Sequence, residues 1–205
     1  MTEWFDEEAM YRYIKEYSGR NGKEQTLAAL DFAREKHKNQ IRSGPKRAPY
    51  IIHPMGMVCH GLALGITEDE ILAAALLHDV CEECDVTPSE LPAGEAVREA
   101  VSYLTCKIPE EADRKKARAQ YMETIKENRI ALIVKLLDRC SNVSTMAEAF
   151  SRKRLKNYIE ETRIHVLPLA AAARIKYPEY GSIVYVLEYH IRSVIDAVEA
   201  VMEKR

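Results

Sequence analysis

Ile71-Leu72-Ala73-Ala74-Ala75-Leu76-Leu77-His78-Asp79-Val80-Cys81-Glu82-Glu83 is an apolar run that ends in an imidazole and three carboxylates within six residues. Seven apolar residues in succession, rich in Ala and Leu, describe a helix buried on every side. At 3.6 residues per turn, His78 and Glu82 stand four apart, and Asp79 lies three from Glu82 and four from Glu83. The spacing therefore predicts all four crowded at one end of one helical face. Unpaired charge beside so apolar a stretch is costly, and metal ligation would remove that cost.

The bulk numbers narrow the function classes. The 205 residues suit one domain, spanning 1–205 with its motif-bearing core at about 24–175, and such a chain can bury a core without disulfides. Thirty Lys and Arg against 32 Asp and Glu leave a net charge of −2, so no global field argues for nucleic acid or an anionic membrane. No run approaches the roughly 18 apolar residues of a membrane span. The acidic start, Glu3, Asp6, Glu7 and Glu8, lacks the positive charge of a signal peptide, which predicts a cytoplasmic protein. Five cysteines, an odd count without regular spacing, read as reduced thiols, and the Cys81-x-x-Cys84 pair has no second pair to complete a zinc site.

Residues 71–78, 96–104, 114–125, 130–137, 153–173 and 183–202 carry apolar positions three and four apart, and extended alternation is nearly absent. An all-α bundle follows. Thr67-Glu68-Asp69-Glu70 and Thr87-Pro88-Ser89-Glu90 read as helix starts, and residues 43–49 and 177–181 as breaks.

Three other segments offer partners for His78 and Asp79. His53 precedes Pro54, whose ring suits the first position of a helix. Asp138 closes the apolar helix 130–137, with Asn142 and Thr145 four and seven residues later on the same face. His53, His78, Asp79 and Asp138 together form a mixed nitrogen and oxygen set suited to Mn²⁺, Fe²⁺ or Zn²⁺ and poorly suited to Ca²⁺.

His53-Pro54, Leu77-His78-Asp79 and Lys135-Leu136-Leu137-Asp138-Arg139, followed by Asn142 and Thr145, resemble the HD-type phosphohydrolases, and within them the hydrolase domain of the RelA/SpoT alarmone enzymes. Ala33, His37, Gln40 and Arg42-Ser43-Gly44, then Pro49-Tyr50-Ile51-Ile52, extend the match, which runs from about Ala29 to Ala170. The resemblance implies an all-α HD-domain bundle and a small stand-alone alarmone hydrolase. It implies one Mn²⁺ on His53, His78, Asp79 and Asp138, and an attacking water handled by Glu82 and Glu83. Phosphate contacts fall to Arg42 and to Lys46 or Arg47. Lys107, Asn142 and Thr145 face the substrate, Asn142 contacting the nucleotide. The implied partner is a small-molecule nucleotide, with no nucleic acid and no membrane, and a homodimer is compatible with it.

The implied reaction is Mn-dependent hydrolysis of (p)ppGpp at the 3′ position, giving GDP or GTP and pyrophosphate. Rivals are an HD phosphohydrolase acting on ppApp or NADPH, and a non-catalytic nucleotide-binding HD module. Three departures from the family bear on this, the first a basic loop about two residues longer, which leaves Lys46 and Arg47 as alternatives for the second phosphate contact. Glu83 stands where an Asp is usual, and Val166-Leu167-Pro168-Leu169 replaces a Tyr-Ala-Pro-Leu segment that helps shape the nucleoside pocket. Arg139 reads as a structural ion pair, the cluster around Arg118 as a solvated helix face, and His60, His165 and His190 as ordinary histidines.

Overall fold

A computed structural model of the protein describes residues 6–45, 47–106 and 113–204. They fold as α1 Glu7–Arg20, α2 Glu24–His37, α3 Ile52–Ala63, α4 Asp69–Leu77, α5 Val80–Glu83, α6 Glu95–Leu104, α7 Arg114–Ile125, α8 Arg129–Ala149, α9 Arg152–Glu161, α10 Leu167–Lys176 and α11 Gly181–Glu203. The only extended pairing among the described residues is an isolated bridge between Ile41 and Pro49 at the neck of a loop. No helix among them is long and apolar enough to cross a membrane.

Helix α4 is the axis of the bundle. Ile71 through Leu77 are fully buried, and α2, α3, α6 and α8 surround them. Short Ala73, Ala74 and Ala75 let those helices approach closely, while Ile71, Leu72, Leu76 and Leu77 fill the remaining space. Helix α11 packs along α8, burying Val184, Leu187, Ile191 and Ile195 at spacings of three and four.

The structure differs from the sequence reading in instructive places. The run through Glu83 is not one helix: α4 stops at Leu77, His78 and Asp79 form a turn, and α5 restarts. The Ala75 carbonyl, the acceptor for Asp79 N–H in an unbroken helix, bonds the His78 Nδ1–H at 2.8 Å. Pro54 does not open α3, which begins two residues earlier at Ile52, so His53 sits inside the first turn. Asp138 does not close its helix. It lies in the middle of α8, whose buried stripe continues through Cys140, Val143 and Met146, because the polar residues between them face a cleft.

The expected helix over 153–173 is interrupted by a π turn, Thr162–Val166, ahead of Pro168 in the first turn of α10. Proline lacks an N–H and crowds the carbonyl four residues back, and the wider turn relieves both.

The helix start expected at Thr87 is a capping box between Thr87 and Glu90, but over a single 3₁₀ turn, Pro88–Glu90. At the start of α4 the N-cap is Glu68, whose side chain does not bond the helix amides, and not Thr67. Asp69 instead reaches across to α2. Its carboxylate accepts from Gln25 N at 3.0 Å, Thr26 N at 2.9 Å and Thr26 Oγ1 at 2.6 Å, satisfying amides that α2 cannot pair internally. Asp69→Ala removes this tertiary cap from a half-buried position. The expected loss is about 1–2 kcal/mol of unfolding free energy in a denaturant titration, and a variant as stable as the parent would show that water satisfies those amides equally well.

Candidate metal centre

Three segments bring the centre together. The first turn of α3 supplies His53, the α4–α5 turn supplies His78 and Asp79, and the middle of α8 supplies Asp138. Nε2 of His53 lies 3.3 Å from Asp138 Oδ1 and 3.8 Å from Asp79 Oδ2. Nε2 of His78 lies 2.9 Å from Asp79 Oδ2 and 3.9 Å from Asp138 Oδ1. His53, His78 and Asp138 are buried, and one ligand atom from each falls within 4.8 Å of the others. Asp79 is half-buried, closing the open side.

The electrostatics ask for positive charge between these groups. Because His78 Nδ1–H donates to the Ala75 carbonyl, the neutral ring presents a lone pair at Nε2. That atom is buried and makes no hydrogen bond, although a carboxylate oxygen lies beside it. Burial disfavours the His78 imidazolium, yet Asp79 and Asp138 outweigh it and push the ring up to about 9. Burial raises both carboxyls, but His78 pulls Asp79 below the usual range, and Lys135 with the two imidazoles does the same to Asp138. Two lone-pair nitrogens and two ionised carboxylates around one point are a donor set that fits a divalent metal ion. His53 Nδ1 meets Ser141 Oγ at 3.0 Å, so each ring is oriented through its far nitrogen, as ligating histidines are.

The centre opens into a cleft of about 580 Å³ between the loop after α2 and helices α5, α8 and α9. Glu82 and Glu83 stand on its rim with Arg42, Lys135, Arg118 and Asn142 around them. Burial raises the Glu82 carboxyl, the Cys106 N–H lowers it, and Asp79 raises it further, with a net upward shift. Asn142 Nδ2 donates to Asp138 Oδ1, and Arg42 donates to Asn142 Oδ1 at 2.9 Å and reaches Thr145 Oγ1 at 3.5 Å. Asp138, Asn142 and Thr145 thus share one face, as their spacing predicts, and Arg42 crosses from the loop to meet it.

Other expected residues lie elsewhere. Arg47, at φ 46°, faces a neighbouring cavity of about 550 Å³ with Cys59, His60 and His190. Lys46 and Lys107 lie outside the described residues. Val166 is fully buried in the core and does not line the cleft. The aromatic wall comes from α9 and the residue that ends α8, where Phe150 and Tyr158 meet edge to face at 5.3 Å. Arg139 is structural as read, buried against Glu161 at 2.6 Å and Thr162 at 2.9 Å with Tyr158 under its guanidinium. Arg118 lines the cleft and pairs with Glu161, so this end of the basic cluster is more than a solvated face.

Besides Phe150 and Tyr158, Lys135 and Tyr50 line the cleft without a role in the sequence reading. Lys135 is 15% exposed, with Nζ 3.0 Å from Asp138 Oδ2. A lysine inside the apolar run 130–137 is the signal that could have found it, since burial demands a partner. Tyr50 donates its hydroxyl to Asp79 Oδ2 at 2.6 Å. Nothing local distinguishes that tyrosine.

No family model matches the chain. Among curated proteins it is 37% identical over 146 residues to guanosine-3′,5′-bis(diphosphate) 3′-pyrophosphohydrolase MESH1 of Homo sapiens, covering 66% of this chain and 79% of that one. The Xenopus tropicalis counterpart is 36% identical over 143 residues, covering 65% and 78%. The bifunctional (p)ppGpp synthase/hydrolase SpoT of Escherichia coli is 32% identical over 171 residues, which are 80% of this chain and 24% of the larger enzyme. In three dimensions the chain superposes on a metazoan ortholog of SpoT with TM-score 0.66 at 21% identity, covering 84% of this chain and 94% of that one. That likeness carries the fold, an HD-type helical bundle. The sequence matches carry the family: the chain belongs to the guanosine-3′,5′-bis(diphosphate) 3′-pyrophosphohydrolases.

Proposed function

We infer that the protein hydrolyses (p)ppGpp to GDP or GTP and pyrophosphate at one Mn²⁺ centre. The observation that carries this is the buried pair of imidazoles and carboxylates opening onto a cleft rimmed by Glu82 and by basic side chains, in a chain whose relatives are named for that reaction. His53, His78, Asp79 and Asp138 hold the ion, which when bound polarises a phosphoryl oxygen and lowers the pKa of a water.

The residues of the chain supply the rest. Glu82 takes the proton of the attacking water, and its upward-shifted carboxyl suits a base working nearer neutrality. Glu83 stands beside it as the second acid. The water oxygen bonds to the phosphorus attached to the 3′ oxygen, that P–O bond breaks, the 3′ hydroxyl forms on the nucleotide, and pyrophosphate leaves. Arg42 binds phosphate, and Asn142 holds Arg42 while also bonding Asp138, so phosphate binding and metal geometry share one side chain. Lys135 and Arg118 offset negative charge accumulating in the cleft. The Phe150–Tyr158 wall takes the role of an aromatic face for the nucleoside, for which Val166 is too deeply buried.

Hydrolysis of ppGpp, pppGpp, ppApp and NADPH by Mn²⁺-loaded protein tests the substrate. The guanosine alarmones are expected to give the highest kcat/KM, and a preference for NADPH or inertness towards all four would overturn the reading. Metal removal is expected to abolish turnover, as are His53→Ala and Asp138→Ala, each with loss of the bound ion by elemental analysis. Glu82→Gln preserves size and polarity but not basicity, so kcat is expected to fall by about two to four orders of magnitude with the ion retained. Arg42→Ala is expected to act chiefly on KM, by about ten- to a hundredfold for every phosphorylated substrate, in steady-state assays.

A further inference from the structure

The loop between α2 and α3 is pinched at its neck. Tyr50 N donates to Gln40 O at 2.9 Å, closing the base of the loop. Both neck side chains then reach the acidic segment formed by the α4–α5 turn and α5. Gln40 Nε2 donates to the Glu83 carbonyl at 2.8 Å, and Tyr50 OH donates to Asp79 Oδ2 at 2.6 Å. His37, buried at the end of α2, steadies the pair from behind. Its Nδ1 meets Gln40 Oε1 at 2.6 Å, and its ring lies 4.8 Å from the Tyr50 ring.

The oxygen that Tyr50 grips is the one turned to the imidazoles, 2.9 Å from His78 Nε2 and 3.8 Å from His53 Nε2. Asp79 is the most exposed of the four putting their atoms around that point, on a turn whose helical ladder has just been broken. Its carboxylate is therefore the ligand with the most freedom to rotate away, and a donor at a fixed angle removes that freedom. A phenol hydroxyl is a neutral donor at physiological pH, and a carboxylate oxygen can only accept from it.

We propose that Tyr50 is a positioning residue of the metal centre, its hydroxyl fixing Asp79 in the ligating orientation at the N-terminal end of α5 while Gln40 anchors the C-terminal end of that helix. This rests on the metal reading above. It adds a link between the loop that carries Arg42 and the turn that carries Asp79, Glu82 and Glu83.

Calorimetric titration of metal-stripped full-length protein with Mn²⁺ tests it, using Tyr50→Phe and Tyr50→Leu. Phe keeps the ring against His37 and deletes only the hydroxyl; Leu deletes both. The dissociation constant for Mn²⁺ is expected to rise about 10- to 100-fold in Tyr50→Phe, with the melting temperature of the stripped protein unchanged, and Tyr50→Leu is expected to weaken binding at least as much. Wild-type affinity in Tyr50→Phe, with loss only in Tyr50→Leu, would show that the ring packs and the hydroxyl positions nothing, overturning the proposal alone. Absence of Mn²⁺ binding by the wild type would overturn the metal reading and this proposal with it.

Discussion

Asp138 is a carboxylate in the middle of a core helix, and its burial sets terms for everything around it. An isolated ionised carboxylate taken out of water costs several kcal/mol or more, so each lone pair must meet a donor or a cation. Lys135 answers one oxygen, Asn142 and the imidazoles the other. Those partners come from α8 itself, from α3 and from the end of α4, so satisfying one side chain fixes how three helices meet. The apolar packing of α4 provides the driving force for assembly, but the polar cluster determines the register in which its C-terminal end arrives.

The same constraint explains why α4 stops where it does. A continuous helix would carry Asp79 around the axis by 100° from His78. The turn at His78 and Asp79 instead brings the second carboxylate within 2.9 Å of its neighbour's Nε2, and lets α5 project Glu82 and Glu83 to the cleft rim. The imidazole contributes to the break by occupying the Ala75 carbonyl. One hydrogen bond thus chooses the tautomer and helps end the helix. Local backbone geometry and ligand chemistry are set together.

Around the centre, cations serve fold and chemistry in different ways. Arg139 is taken up by Glu161, Thr162 and the face of Tyr158, and so secures α8 against the π turn. Arg42 is held by neutral partners, Asn142 and Thr145, which orient a guanidinium without neutralising it. Lys135 is intermediate, bound to a carboxylate that it shares with the histidines. A cation enclosed by an acid, a hydroxyl and an aromatic face, as Arg139 is, stabilises structure, whereas one tied to amides and hydroxyls keeps its charge for an anionic ligand.

Much of this is legible in the residue string. The apolar run 71–77 announces a helix buried on all sides, and the 138, 142 and 145 spacing announces a shared face, because both are properties of a single helix whose period is known. The ordered motifs around His53, His78, Asp79 and Asp138 announce the chemistry. What the string does not carry is anything whose cause lies across the bundle. The continuation of α8 past Asp138 follows from a cleft that admits polar residues on one side. Asp69 caps a helix some forty positions earlier, Val166 sinks into the core while Tyr158 takes the cleft wall, and Tyr50 reaches an aspartate 29 residues away. Periodicity specifies which residues face inward together; only the packing of one helix on another decides what each inward-facing group meets.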